Sequence, residues 1–141
     1  MTTSLNSTTP ARDASYQLLH YLRKAINVAS VPTGTVVTVG VLPAGAIVVA
    51  GLSGIYASAD FTGTTNVIDI GYAADSLSTS DANAYASALA IPLTTGGFVA
   101  VDELATATGR ARTVDTTITA TWTGTATTGS LDVVVVYAPN R

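Results

Sequence analysis

The sequence contains no cysteine, so neither a disulfide framework nor a thiolate metal site can form within this chain. A chain of 141 residues is long enough to bury a core without such cross-links, and it is too short for a second full domain. We therefore expect one domain whose stability comes from packing and association.

Charge is also scarce, because charged residues make up 11% of the chain where a soluble monomeric domain has about a quarter. The formal net charge is -3, whereas affinity for nucleic acid or for anionic membranes requires clustered Lys and Arg. We expect a protein partner, with neither nucleic acid nor membrane as a target. A surface of hydroxyls and methyls suits packing against other copies of the chain or against a protein lattice.

Long apolar segments are missing as well. The first fifteen residues lack the basic start and apolar run of a secretory signal, and no stretch approaches the roughly 18 apolar residues of a membrane span. These absences predict synthesis in the cytosol.

The residues that are abundant indicate β-structure. Thr (24), Ala (23) and Val (16) supply nearly half of the chain, and the β-branched Thr and Val fit a pleated sheet better than a helix. Alternating or apolar runs between turn residues predict short strands over residues 37–41, 46–50, 54–60, 66–72, 98–102, 110–122 and 131–137. We expect the first two of these strands to flank the turn at residues 42–45, and the next two to form another pair around the loop at residues 61–65.

The two closing strands carry the clearest patterns. Residues 110–122 place Val114, Thr116, Ile118, Ala120 and Trp122 on one face, at a period of two. Residues 131–137 are apolar on both faces towards their end, which predicts a central position in a sheet. Seven to nine short strands without long helices between them predict an all-β, single-domain β-sandwich of jelly-roll type.

The N-terminal part differs in composition. Residues 1 to about 14 are mostly Ser, Thr, Asn and Pro, too polar to become ordered by burial, and we interpret residues 1–22 as an arm preceding a sandwich of residues 23–141. A short helix over Tyr16 to Leu22 and a strand are equally compatible with that stretch, and we favour a strand from Arg23 to Ala29. A second short helix is predicted from Ser80 or Asp81 through Leu89.

Catalytic chemistry has little support. His20 is the single histidine and has no cysteine or matched base to act with, so we interpret it as a packing or surface residue. The carboxylates fall at predicted strand ends and loops, and the segment from Asp75 to Asp81 lacks a calcium-loop pattern. Arg110 and Arg112 alternate on one predicted strand face, where they could pair with Glu103 or bind an acidic neighbour, and we favour a solvated pair. The sequence thus predicts a protein that is not an enzyme, with no catalytic, cofactor-binding or metal-binding residues and no cofactor.

Four sequence segments carry a resemblance to a known family. They are the turn VLPAG, the strand TNVIDIG, the segment FVAVDEL and the Thr-rich closing hairpin that ends in VVVYAP, within a match over roughly residues 23–139. The chain resembles the capsid decoration, or cement, proteins of tailed bacteriophages. The resemblance implies a virion protein on the capsid exterior, made in the host cytoplasm, that binds the major capsid protein, stabilises the shell and associates with itself, commonly as a trimer.

Candidate interface residues lie where the arm meets the domain. Aromatic and aliphatic residues concentrate at interface centres, and an arm can extend across a neighbouring molecule. The expected capsid or oligomer anchors are Tyr16, Leu18, Leu19, Tyr21 and Leu22, although the same residues could instead begin the domain core.

Two other functions remain open. A phage head-fibre or tail-associated adhesion module would be favoured by an exposed aromatic patch on loops. A carbohydrate-binding sandwich would require an exposed face shared by Trp122, Tyr56, Tyr72 and Tyr85.

Overall fold

Two antiparallel sheets packed face to face form the domain. The computed structural model describes residues 18–103 and 112–139. The strands of this part of the chain are β1 (His20–Asn27), β2 (Val36–Leu42), β3 (Ile47–Val48), β4 (Gly54–Ala57), β5 (Asn66–Tyr72), β6 (Asp81–Ala90), β7 (Gly97–Ala100), β8 (Thr116–Gly124) and β9 (Ser130–Ala138). A short 3-10 turn, Ala50–Leu52, separates β3 from β4.

The strand order is that of a jelly roll. One sheet has the order β1-β9-β4-β7, with β3 also paired to β9, and we call it the β1 sheet. The other has the order β2-β8-β5-β6, and we call it the β2 sheet. Apart from β3, the strands pair as a folded-over hairpin would, β5 with β6, β4 with β7, β2 with β8 and β1 with β9. This arrangement confirms the predicted all-β sandwich of jelly-roll type.

The strand β8 shows how alternation determines the core. Thr116, Ile118, Ala120 and Trp122 are all buried on one face, as the period-two pattern predicts. The indole N–H of Trp122 donates a 2.8 Å hydrogen bond to the carbonyl oxygen of Val31, so burying this large side chain leaves no polar atom unpaired on it.

The strand β9 lies in the middle of the β1 sheet, as predicted. It pairs with β1 along its whole length and with β4 and β3 on its other side. Its inward residues Leu131, Val133, Val135 and Tyr137 are buried, while the outward residues between them are half-buried.

The fold corrects three predictions about which strands are partners. The turn at residues 42–45 is present, with Gly45 at φ 80°, but it leads from β2 in one sheet to β3 in the other. The loop containing Gly63 likewise connects β4 and β5 across the sandwich, and the closing segment places β8 and β9 in opposite sheets instead of a hairpin. In a jelly roll consecutive strands often change sheets, so most pairs form between strands distant in sequence.

Of the two alternatives for residues 16–22, the described part is a strand, and the second predicted helix is wrong. Within the predicted segment 16–22, β1 begins at His20, and its pairing with β9 satisfies the backbone that a helix would have satisfied locally. The segment proposed as a second helix is the edge strand β6, whose register against β5 shifts twice. At the wider shift the carbonyl oxygen of Asp81 occupies the space that a Cβ on Gly71 would need, because the two would be 2.0 Å apart.

The division of the chain at residue 22 stays a prediction. The strand β1 runs across that position, while residues 1–17 lie outside the described part of the chain.

Candidate interaction surfaces

Four of the five predicted anchors fall within the described residues, at the start of the edge strand β1. Leu18, Leu19 and Tyr21 are exposed, and Tyr21 is the most exposed of them at 66%. Leu22 is half-buried and packs against the core. Tyr16 lies outside the described residues.

Leu22 points towards the β2 sheet. A Cβ added to Gly40 of β2 would lie 3.1 Å from Leu22 Cδ2, so the leucine packs directly over the glycine backbone. This contact shows that the edge strands β1 and β2 lie one above the other. Leu22 therefore contributes to holding the two sheets together.

The edge strand β2 adds two exposed side chains that the sequence analysis did not single out. Val36 is 64% exposed and Val41 is 51% exposed, and both pair with threonines of β8 on the outer face. The register of β2 shifts between Thr38 and Gly40, so simple alternation along the sequence does not place Val36 and Val41 on the same face. We call the surface formed by Leu18, Leu19, Tyr21, Val36 and Val41 the β1–β2 side.

An aromatic pair lies on the outer face of the β1 sheet. Tyr56 of β4 and Phe98 of β7 are cross-strand partners with ring centroids 4.8 Å apart, and both rings are exposed. Next to them Arg23 donates a 2.7 Å hydrogen bond to Asp132, which raises the pKa of the arginine. Tyr56, Arg23 and Asp132 border a groove whose other walls include Ser58 and Ser130.

The opposite side of the sandwich carries the edge strands β6 and β7. The backbone N–H of Ser87 in β6 donates to the carboxylate of Asp102, which follows β7, at 3.3 Å. The N–H of Glu103 donates to the carbonyl oxygen of Tyr85 at 3.0 Å. These bonds connect the two sheets at what we call the β6–β7 side, which contains Asp81, Phe98, Asp102 and Glu103.

Arg112 is not part of a solvated pair on a strand face. It precedes β8, and its guanidinium donates to Asp75 at 2.5 Å and to the hydroxyl of Thr116 at 3.0 Å. Its Cζ lies 4.2 Å from the centroid of the Tyr72 ring. Arg110 lies outside the described residues.

The carboxylate of Asp75 is held from both directions. Its Oδ1 accepts the backbone N–H groups of Leu77 and Ser78, and its Oδ2 accepts the Arg112 guanidinium. The bond from Leu77, followed by that from Arg112, holds the pKa of Asp75 below its usual range. Through these hydrogen bonds Asp75 connects the loop between β5 and β6 to Arg112, in the segment before β8.

The aromatic residues required for the carbohydrate-binding alternative do not share an exposed face. Trp122, Tyr72 and Tyr85 are buried, and Tyr56 alone is exposed. That version of a sugar-binding surface is therefore wrong.

The remaining candidate residues have structural surroundings. His20 stacks on Tyr137 with ring centroids 5.7 Å apart. Among residues 18–103 and 112–139, no three His, Asp or Glu side chains are grouped so that they could hold a metal ion. The same part of the chain has no helix with the length and apolar character to cross a membrane.

Solved structures with the same fold come from bacteriophage capsids. A chain in the capsid asymmetric unit of cyanophage Pam1 superposes with a TM-score of 0.64 and 20% sequence identity, covering 99% of this chain and 93% of that chain. A chain in the capsid of Ralstonia phage GP4 gives a TM-score of 0.62 and 17% identity, over 87% of this chain and 85% of that one. No protein-family model and no curated protein matches the sequence. The chain thus shares its fold, over nearly its whole length, with chains found in two phage capsids.

Proposed function

We propose that this protein is a non-enzymatic structural protein of a tailed bacteriophage, a decoration protein that binds the outside of the capsid and stabilises it. The observation that carries the proposal is the nearly complete overlap with a capsid chain of similar length, 99% of this chain against 93% of that one. The overlap leaves almost no residues over in either chain.

The surface chemistry supports a role in a protein lattice. Of the ion pairs among the described residues, one lies on the outer face of the β1 sheet and the other ties two loops together. Exposed large apolar side chains on β1, β2, β4 and β7 occupy positions that monomeric domains usually fill with Lys and Glu. Such a surface gains free energy when a neighbouring protein covers it.

The proposed partners are the major capsid protein and other copies of this chain, with a homotrimer as the favoured assembly. A closed cyclic oligomer covers neutral surfaces without extending into fibres, and three-fold symmetry matches the three-fold positions of an icosahedral shell. Tyr16, Leu18, Leu19, Tyr21 and Leu22 remain the proposed anchors, and the exposure of Leu18, Leu19 and Tyr21 supports this assignment.

Binding only to the assembled shell stabilises that shell by mass action. The gain is about 2.7 kcal/mol per site when the free protein is a hundredfold above its dissociation constant. The experiment is to add purified protein to phage particles that lack it and to follow genome release on heating, with the mass of the free protein measured by light scattering.

The expected result is a trimer that sediments with the particles and raises the temperature of genome release. A monomer that leaves the release temperature unchanged at saturating occupancy would contradict the proposal, and a head-fibre or tail-associated role would then be preferred.

A further inference from the structure

We propose that the β1–β2 side of each domain is covered by the β6–β7 side of a second copy, so that the chain assembles head to tail into a closed ring. In this contact Lys24 of one copy faces Asp102 of the next. The inference rests on the proposed function and adds to it the surface through which copies meet.

The two sides face away from each other within one domain. The strands β1 and β7 are the opposite edges of one sheet, and β2 and β6 are the opposite edges of the other. The contact of Leu22 with Gly40 places β1 over β2, while the hydrogen bond from Ser87 to Asp102 places β6 beside β7. One copy can therefore present both sides at the same time, each to a different neighbour.

The β1–β2 side carries an uncompensated positive charge. Lys24 is the single lysine of the chain, it is exposed, and it forms no ion pair within residues 18–103 and 112–139. It pairs in register with the buried Val133, so it projects from the inward face of the edge strand, between the two sheets. Its neighbour Arg23 adds no free charge because Asp132 neutralises it.

The β6–β7 side carries negative charge. Asp102 is exposed, and the hydrogen bond that its carboxylate accepts comes from an uncharged backbone N–H group. Asp81 likewise accepts a backbone N–H, that of Asn83, and neither carboxylate forms an ion pair with a described cation. Glu103 follows Asp102 directly, while Asp81 lies farther along this side, at the start of β6.

Apolar side chains accompany the charges on both sides. On the β1–β2 side, Tyr21, Val36 and Val41 are exposed on the outer faces of the two edge strands. On the β6–β7 side, Phe98 is exposed on β7 and its ring is tilted against that of Tyr56. Aromatic and aliphatic residues next to complementary charges are the composition of a protein interface, in which the charges fix the orientation.

A contact between two different surfaces of the same chain is heterologous. Such contacts close into a ring only when each copy is rotated by a fixed fraction of a turn relative to the next, and one third of a turn gives the trimer of the proposed function. A two-fold dimer through either side would instead place that side against its own copy, with like charges opposite each other.

Zero-length cross-linking with a water-soluble carbodiimide tests the contact on the unmodified chain. The reagent adds to a carboxylate to form an O-acylisourea, and attack by a primary amine then forms the amide while the carbodiimide leaves as its urea. Lys24 and the N-terminus supply the only such amines. The expected product is a Lys24–Asp102 linkage between copies, identified by mass spectrometry, in a covalent ladder that ends at the trimer.

Lys24→Arg is the matched control, because it keeps the positive charge but removes the reactive amine. We expect this variant to stay trimeric in light scattering and to lose the linkage. A lysine that serves only to block strand-to-strand aggregation at the sheet edge would give no intermolecular linkage in the parent protein, and that result would overturn the inference.

Charge reversal provides an independent measurement. Lys24→Glu and Asp102→Lys should each raise the trimer dissociation constant by about tenfold or more, because like charges then meet across the contact. The double variant should restore association to near the parent value, while Asp60→Lys, in the loop between β4 and β5, should leave it unchanged. Failure of the double variant to recover association would refute the pairing.

The outcomes separate this inference from the proposed function. A protein that is monomeric in solution and on particles, yet still sediments with them, would overturn the ring and leave the decoration role in place. A cross-linked ring that never binds particles would support the ring and contradict the decoration role.

Discussion

Replacing the buried Asn66 with alanine should cost about 3 kcal/mol of stability. The side chain is 3% exposed at the start of β5, where its Nδ2 donates to the carbonyl oxygen of Thr62 at 2.9 Å. Its Oδ1 accepts the backbone N–H groups of Thr125 and Ala126 at 3.1 and 3.0 Å. Each of these three bonds contributes about 1 kcal/mol net, and Asn66→Ala would also leave their partners unpaired.

The assay is thermal and urea unfolding of the parent and variant at one protein concentration, since association shifts apparent stability. For a domain of this size a loss of about 3 kcal/mol corresponds to a fall in Tm on the order of 10 °C. Asn66→Asp keeps the acceptor for both N–H groups but places a buried carboxylate oxygen against the carbonyl oxygen of Thr62, so it should also be destabilised, and more at neutral than at acidic pH. The exposed Thr64→Ala serves as the neutral control. If Asn66→Ala and Thr64→Ala had the same free energy of unfolding, the hydrogen bonds of Asn66 to Thr62, Thr125 and Ala126 would make no net contribution to stability.

Three other variants test separate features of the fold. Ala88 has φ 50°, a region costly for residues with a Cβ, so Ala88→Gly should stabilise the domain by up to about 1 kcal/mol in urea unfolding, and a loss of stability would contradict the strain. The pKa of Asp75 is lower in the folded than in the unfolded state, so its stabilising contribution is present above the unfolded pKa and is lost as pH falls through the folded pKa. Asp75→Asn should therefore be less stable at neutral pH and lose less stability on acidification, and an unchanged acid dependence would refute this assignment. Burial raises the pKa of Tyr85 to about 12, and its hydroxyl has no hydrogen-bond partner among the described residues, so Tyr85→Phe should keep or increase stability and remove one late-titrating tyrosine from the alkaline absorbance change.

The sequence alone determined the fold class and the inward faces of the two closing strands. In β8 the alternation of Thr with Ile, Ala and Trp separates a buried face from an outer one within nine residues, so the pattern is local and can be read directly. The apolar run of β9 predicts its central place because the side chains on both faces of a central strand are flanked by those of the neighbouring strands, which leaves its outward residues half-buried.

Tertiary structure decided which strands pair and which surfaces result. The Ala-rich segment of β6 is compatible with a helix, and only pairing with β5, together with the two register shifts, makes it a strand. The contact of Arg112 with Asp75 joins residues 37 positions apart in the sequence, and a local sequence pattern does not predict such a contact. The placement of Lys24 and Asp102 at opposite edges of the sandwich likewise depends on the order of strands in the β1 sheet. Alternation specifies which side of a strand faces inward, whereas the choice of neighbour depends on long-range packing that is spread over the whole chain.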